Sequence, residues 1–186
     1  MSLYETLRHF ADSYALIVML RFLFQLLRVD FHNPVSQFVV KMTSPALRPL
    51  RKFIPGLAGI DMASLVLAWL VKSAELILVI LLSGNAMIFA AFLWAIPALV
   101  SLVFTIFIAA LIILAIMSWV PSLQSHPLAW IMRAFTEPLL TPIRRRVPAV
   151  SGLDFSVMIA IVGLIFMKML VIPPLAKLFG APAGLL

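Results

Sequence analysis

Pro45-Ala46-Leu47-Arg48-Pro49-Leu50-Arg51-Lys52-Phe53-Ile54-Pro55, running on through Gly59-Ile60-Asp61, occurs twice in this chain. The second copy lies 93 residues downstream without a gap, so that Pro45 becomes Pro138, Pro49 becomes Pro142, Arg51 becomes Arg144, Lys52 becomes Arg145 and Asp61 becomes Asp154. Proline has no backbone N–H and its ring crowds the preceding turn. Prolines spaced four and then six apart therefore predict an irregular basic loop in each copy. Asp61 and Asp154 stand directly before apolar runs, where a carboxylate accepts from the free amides of a first helical turn and favours its positive dipole end. Both are read as helix N-caps, each worth about 0.5–2 kcal/mol.

What flanks the two copies fixes the class. Of the 186 residues, 64% are hydrophobic and only 11% charged, and the mean hydropathy is +1.16. Soluble domains carry about a quarter charged residues, so this is an integral membrane protein. The length fits one domain built of a few spans of about 20 residues. Without cysteine there are no disulfides and no thiolate chemistry. The net charge of +7 is concentrated: nine of the fourteen Lys and Arg residues are Arg28, Lys41, Arg48, Arg51, Lys52, Arg133, Arg144, Arg145 and Arg146. An excess of cations in short segments beside apolar spans marks the cytoplasmic side. Nucleic acid is a poor fit, since no base-stacking aromatics interleave with the arginines.

Along the chain, residues 11–27 form a first span, and no cleavable signal peptide precedes it. Asn33-Pro34 is an N-cap followed by proline at the first helical position. Val35, Phe38, Val39 and Met42 then form an apolar stripe at helical spacing, repeated as Leu128, Ile131, Met132 and Phe135 after Pro127. Ten residues cannot cross a bilayer, so each stripe predicts a short helix lying along the interface. Residues 62–82 form the second span. From Ala86 to Val120 there are no charges for 35 residues, more than one span requires, and Pro97 divides this run into a re-entrant, interfacial or helical extension at 86–97 and a third span from Ala98. The last span, residues 155–172, should stop at Pro173-Pro174. The expected fold is an all-α membrane protein of about four transmembrane helices. These make two parallel span, interfacial helix, basic loop, span repeats: repeat 1 at 1–85, the extra apolar segment at 86–97, repeat 2 at 98–174 and a tail at 175–186.

Arg21, Lys72, Glu75 and Lys168 sit within apolar segments, where a charge costs at least about 2.5 kcal/mol. Arg21 is near enough to a helix end to extend to the interface. Lys72 and Glu75, three apart, can neutralise each other. Glu75 and Lys168 are equivalent under the 93-residue shift, which raises an ion pair across the bundle. No catalytic group, cofactor motif or metal-ligand spacing is present: His9, His32 and His126 are isolated, and no hydroxyl stands beside a credible base. Arg48, Arg51, Lys52, Arg144, Arg145 and Arg146 are suited to anionic lipid headgroups or a membrane-protein partner, and a homo-oligomer is compatible with the small-residue stripe Ser101, Thr105, Ala109.

The duplicated Pro-x-x-(Arg/Thr)-Pro-(Leu/Ile)-Arg-(Lys/Arg)-x-(Ile/Val)-Pro pattern, with Asp30-Phe31-His32-Asn33-Pro34 before the first copy and Met117-Ser118-Trp119 before the second, resembles the YggT family of bacterial membrane proteins over nearly the whole chain. The second copy departs at Thr141, where the first has Arg48. The resemblance implies a multi-pass inner-membrane protein with cytoplasmic basic loops, associated with osmotic tolerance and potassium homeostasis. Some relatives are linked to cofactor assembly or division. It leaves two expectations: an ion-homeostasis protein, channel-like or accessory, or a scaffold whose basic loops recruit a partner or anionic lipid.

Overall fold

The start signals are where helices begin. In a computed structural model that describes residues 3–57, 59–83, 87–147 and 155–182, the helices are α1 (Leu3–Leu26), α2 (Pro34–Phe53), α3 (Met62–Leu82), α4 (Ala90–Trp119), α5 (Pro127–Arg144) and α6 (Phe155–Leu178). No β-strand occurs among the described residues, whose one bridge joins Leu57 and Ile60. Asn33 Oδ1 accepts from Val35 N at 3.0 Å to cap α2, and His126 Nδ1 accepts from Leu128 N at 3.2 Å to cap α5. Asp61 caps α3 through Ser64 N and Oγ. Asp154 lies outside the described residues.

The prolines correct the expected loops. Instead of ending after ten residues, α2 runs through Pro45 and Pro49, and α5 through Pro138 and Pro142. All four are exposed. Proline's fixed φ is helical, and each ring removes only the bond to the carbonyl four residues back, one turn away on the same outward side. The opposite face of α2 is held by buried Val39, Thr43 and Leu47. Arg48, Arg51 and Lys52 are therefore helical, and Arg144 is the last residue of α5, with Arg145 and Arg146 in the turn after it. The irregular stretch between α2 and α3 begins only at Ile54 and turns at Gly59, whose φ of 82° suits glycine.

Proline fails as a boundary twice more. Of the alternatives for 86–97 the helical extension is the one found, since residues 90–96 continue through Pro97 into α4, and α6 passes Pro173 and Pro174 to end at Leu178. Prolines are tolerated in apolar helices, where neighbouring groups or small local adjustments accommodate the lost bonds.

Among the described residues three helices, α3, α4 and α6, are long and apolar enough to cross a membrane. At 1.5 Å per residue the 21 residues of α3 span about 30 Å, the thickness of a hydrocarbon core. α1 is long enough but is interrupted by Arg8, Asp12, Arg21 and Gln25. Packing follows chain order: α1 lies against α2 and α3, α3 against α4, and α4 against α5 and α6, while α2 touches α5. Phe107 stacks on Phe135 at 4.5 Å, and Phe24 meets Phe135 edge-on at 5.8 Å, so α1, α4 and α5 share one aromatic core.

The two apolar stripes have different fates. Ile131, Met132 and Phe135 are buried, whereas at the equivalent places in α2 only Val39 is, with Phe38 56% and Met42 43% exposed. α2 thus has three sectors: a buried one, an outward apolar one with Phe38 and Met42, and a polar one with Gln37, Lys41, Arg48 and Lys52. That is the pattern of a helix lying at an interface. In α5 the same stripe is ordinary core.

Candidate functional site

Two charged clusters occupy the first half. In one, the Arg21 guanidinium does not extend to a surface; it is 7% exposed and turns from α1 into α2. Its Nη1 donates to Thr43 Oγ1 at 2.9 Å, Val40 O at 3.1 Å and Ser44 Oγ at 3.4 Å, and its Nε lies 4.0 Å from Asp61 Oδ2. Arg51 pairs with the same carboxylate oxygen. Burial pushes the Asp61 carboxyl up, but the bonds from Ser64 and Arg51 more than offset this and leave it below the usual carboxylate value. One residue thus caps α3 and joins two arginines from α1 and α2. A small polar recess of about 270 Å³ opens beside it, lined by Gln25, Arg51 and Asp61.

In the other cluster, Lys72 Nζ donates to Asp12 Oδ1 and to Glu75 Oε2, both at 2.6 Å, and Arg8 Nε lies 3.6 Å from Glu75 Oε1. Glu75 is 3% exposed, so two cations serve a buried carboxylate. Lys72 and Glu75 stand in the sequence as an i, i+3 pair; the expected first span, beginning at residue 11, leaves Arg8 outside the helix, and nothing in it pairs Asp12 with a lysine sixty residues away. Their signal was the spacing of Glu5, Arg8 and Asp12 at i, i+3 and i+7, one helix face.

Lys168 belongs to neither cluster. Its Nζ donates to Thr105 Oγ1 at 2.8 Å, and no ion pair joins it to Glu75 among the described residues, so equivalence in the repeat does not make them partners.

The remaining basic residues lie outside. Arg48, Lys52, Arg145 and Arg146 are exposed, and cations at the end of a helix favour its negative dipole end. In the second half Glu137 replaces Ser44: its carboxylate accepts from Thr141 Oγ1 at 2.8 Å and pairs with Arg144 at 3.1 Å. Thr141, which stands where the first copy has Arg48, therefore supports an acid that the first copy lacks. Asn33 Nδ2 donates to Pro127 O at 2.9 Å, joining the start of α2 to the start of α5. Between α4, α5 and α6 lies a larger cavity of about 790 Å³, lined in part by Leu114, Met117, Arg133, Arg144 and Met158. No group of His, Cys, Asp or Glu able to hold a metal occurs among the described residues.

The family model for CCB3/YggT matches the chain in two segments, residues 1–82 and 93–175, which fall on the two halves. The chain belongs to the CCB3/YggT family. Among its relatives, an uncharacterized protein of Pseudomonas aeruginosa is 44% identical over 182 residues, covering 96% of this chain and 92% of that one. The uncharacterized protein YggT of Escherichia coli K12 is 38% identical over 161 residues, covering 85% and 82%. A Vibrio alginolyticus protein described by its position in the proC 3′ region is 38% identical over 166 residues, covering 86% and 87%. No solved structure matches.

Proposed function

We propose that this CCB3/YggT protein is a non-enzymatic accessory or scaffold protein of the bacterial inner membrane, whose α2 and α5 present cationic ends to the cytoplasmic leaflet and there hold anionic lipid or a membrane-protein partner. The observation that carries this reading is the pair of proline-tolerant helices beginning side by side at the Asn33–Pro127 bond and ending in Arg51-Lys52 and Arg144-Arg145-Arg146. Four spans in a parallel repeat fit it: α1 and α4, α2 and α5, and α3 and α6 correspond in order, and α1 becomes the fourth span because Arg21 and Asp12 are partnered inside the bundle. Reporter fusions after Lys52 and after Arg146 should both read cytoplasm; opposite readings would remove the parallel arrangement.

Ion homeostasis is the second reading, favoured by the Arg8–Asp12–Lys72–Glu75 cluster between α1 and α3. Ionisable groups inside a membrane bundle commonly mark ion or proton routes. Here all four are within ion-pair distance of one another's neighbours, which favours a static network. Purified protein in liposomes should then pass no more potassium than empty vesicles; flux abolished by Glu75→Ala would reverse the ranking. A homo-oligomer would use the outer face of α6, where Val162, Phe166 and Met169 are exposed at places equivalent to Trp69, Ser73 and Leu76. In α3 those residues form the side near α4, with Trp69 Nε1 donating to Phe92 O.

A further inference from the structure

The same gap between a span pair and its amphipathic helix is crossed by a side chain in one half, leaving a recess of about 270 Å³, and open in the other. In the first half Arg21 crosses it, bonded to Val40 O, Thr43 and Ser44 and facing Asp61. Under the 93-residue shift Arg21 becomes Leu114, Val40 becomes Arg133 and Ser44 becomes Glu137. Leucine cannot reach across, and the cavity of about 790 Å³ remains, within the range of small-molecule sites. The cation has not been lost from this place; it has moved from the span to α5, at the rim.

From this exchange we infer that the α4–α5–α6 cavity is a binding site for one anionic phospholipid. Its phosphate sits between Arg133 and Arg144, and one acyl chain runs along Leu114, Met117 and Met158. Arg133 is exposed and has no carboxylate within ion-pair distance among the described residues. Arg144 is held at the rim by Glu137. A guanidinium fork matches phosphate oxygens, and the apolar wall matches a chain. Met158 is 56% exposed beside this wall and Trp119, at the end of α4, is 81% exposed. Such an aromatic suits headgroup depth, so the cavity opens where phospholipids are. Among the described residues lining the cavity the one carboxylate, Glu137, accepts from Arg144 and Thr141, and Arg133 stands beside it without a carboxylate of its own. In the first half, where Arg21 crosses the equivalent gap, only the polar recess of about 270 Å³ beside Asp61 remains, without an apolar wall for an acyl chain.

This site rests on the proposed placement of α5 at the membrane surface, and its test separates the two. Native mass spectrometry of the full chain in detergent, titrated with phosphatidylglycerol or with phosphatidylcholine of the same chains, should show one retained phosphatidylglycerol and weaker phosphatidylcholine. Leu114→Arg, which copies the bridge of the first half, and Arg133→Gln should each weaken phosphatidylglycerol retention about tenfold, the size of one lost charge-assisted hydrogen bond. Lys177→Gln, exposed in the last turn of α6 at the end away from the cavity, should leave it unchanged. If Leu114→Arg does not fold, Met158→Trp fills the apolar wall from an exposed position. Equal retention of the two lipids, full retention in Arg133→Gln and Met158→Trp, or displacement by soluble glycerol phosphate alone would overturn the site. Cytoplasmic reporters together with no lipid preference would remove the site and leave the orientation standing; opposite reporters with the preference intact would do the reverse.

Discussion

Arg21 Nε lies 4.0 Å from Asp61 Oδ2, and both residues are more than nine-tenths buried. Asp61 thereby couples the stability of α1 to the start of α3. Removing one partner of a buried ion pair leaves the other charge uncompensated, at about 3–5 kcal/mol. Asp61→Ala should fall at the lower end of this range, about 3 kcal/mol, since Arg21 keeps its bonds to Val40, Thr43 and Ser44. Arg51→Gln should cost less than about 1 kcal/mol, as that side chain is 43% exposed and solvent screens its pair. Thermal unfolding in detergent measures both, and a larger loss for Arg51→Gln would contradict the assignment of Arg21 as the buried partner.

The same carboxylate sets a pH dependence. Its folded pKa is depressed, so it contributes stability that is complete above the unfolded value of about 3.9 and is lost as pH falls through the lower folded value. The melting temperature should drop below about pH 4, and Asp61→Asn should be less stable at neutral pH but show a shallower acid fall. Parallel acid slopes for the two proteins would show that other carboxylates carry the effect.

Phe135 and Met42 occupy one repeat position with opposite fates, and equal truncations should separate them. Phe135→Ala removes a fully buried ring that contacts both Phe24 and Phe107 and should cost about 3–5 kcal/mol. Met42→Ala removes a side chain already 43% exposed and should cost under about 1 kcal/mol in detergent. The check is the difference in melting temperature between the two variants; similar losses would mean that α2 is buried as α5 is.

These contrasts show what was legible in the sequence. Periodicity and cap residues located the starts of α2, α5 and α3 at Asn33-Pro34, Pro127 and Asp61, while the cap read at Asp154 lies outside the described residues. Proline misplaced four helix limits, since its cost depends on whether the freed carbonyl faces outward or is otherwise accommodated, and that is decided by packing. The intramembrane charges were legible, and so was the one partnership within a single helix, Lys72 with Glu75; the partners on other helices were not. Arg21 reaches Thr43 and Ser44 on another helix, and Lys72 reaches Asp12 across sixty residues. The repeat showed equal places, as in Glu75 and Lys168, without showing which places touch.

Asn33 has two functions that can be tested separately. Its Oδ1 caps α2 at Val35, and its Nδ2 bonds Pro127 O across the halves. Asn33→Ala removes both and should cost about 1–2 kcal/mol. Asn33→Asp keeps the cap, loses the donor and should cost about half as much. Melting curves of the two variants would show the bridge as the residual loss in Asn33→Asp; a fully stable Asn33→Asp would leave only the cap.

Lys72 and Glu75 allow structure to be distinguished from conduction. Lys72→Met leaves Glu75 with the more distant Arg8 and should destabilise by about 3 kcal/mol. Adding Glu75→Leu removes the stranded charge, so the double variant should be more stable than Lys72→Met alone, because a buried pair replaced by apolar residues of similar volume is often close to neutral. Melting temperatures in detergent test this directly. A static network predicts that the double variant also restores the protein's abundance in membranes and that liposomes carrying it pass no less potassium than liposomes carrying the unaltered protein. An ion pathway predicts restored abundance with potassium flux lost, because packing is recovered while the titratable groups are gone.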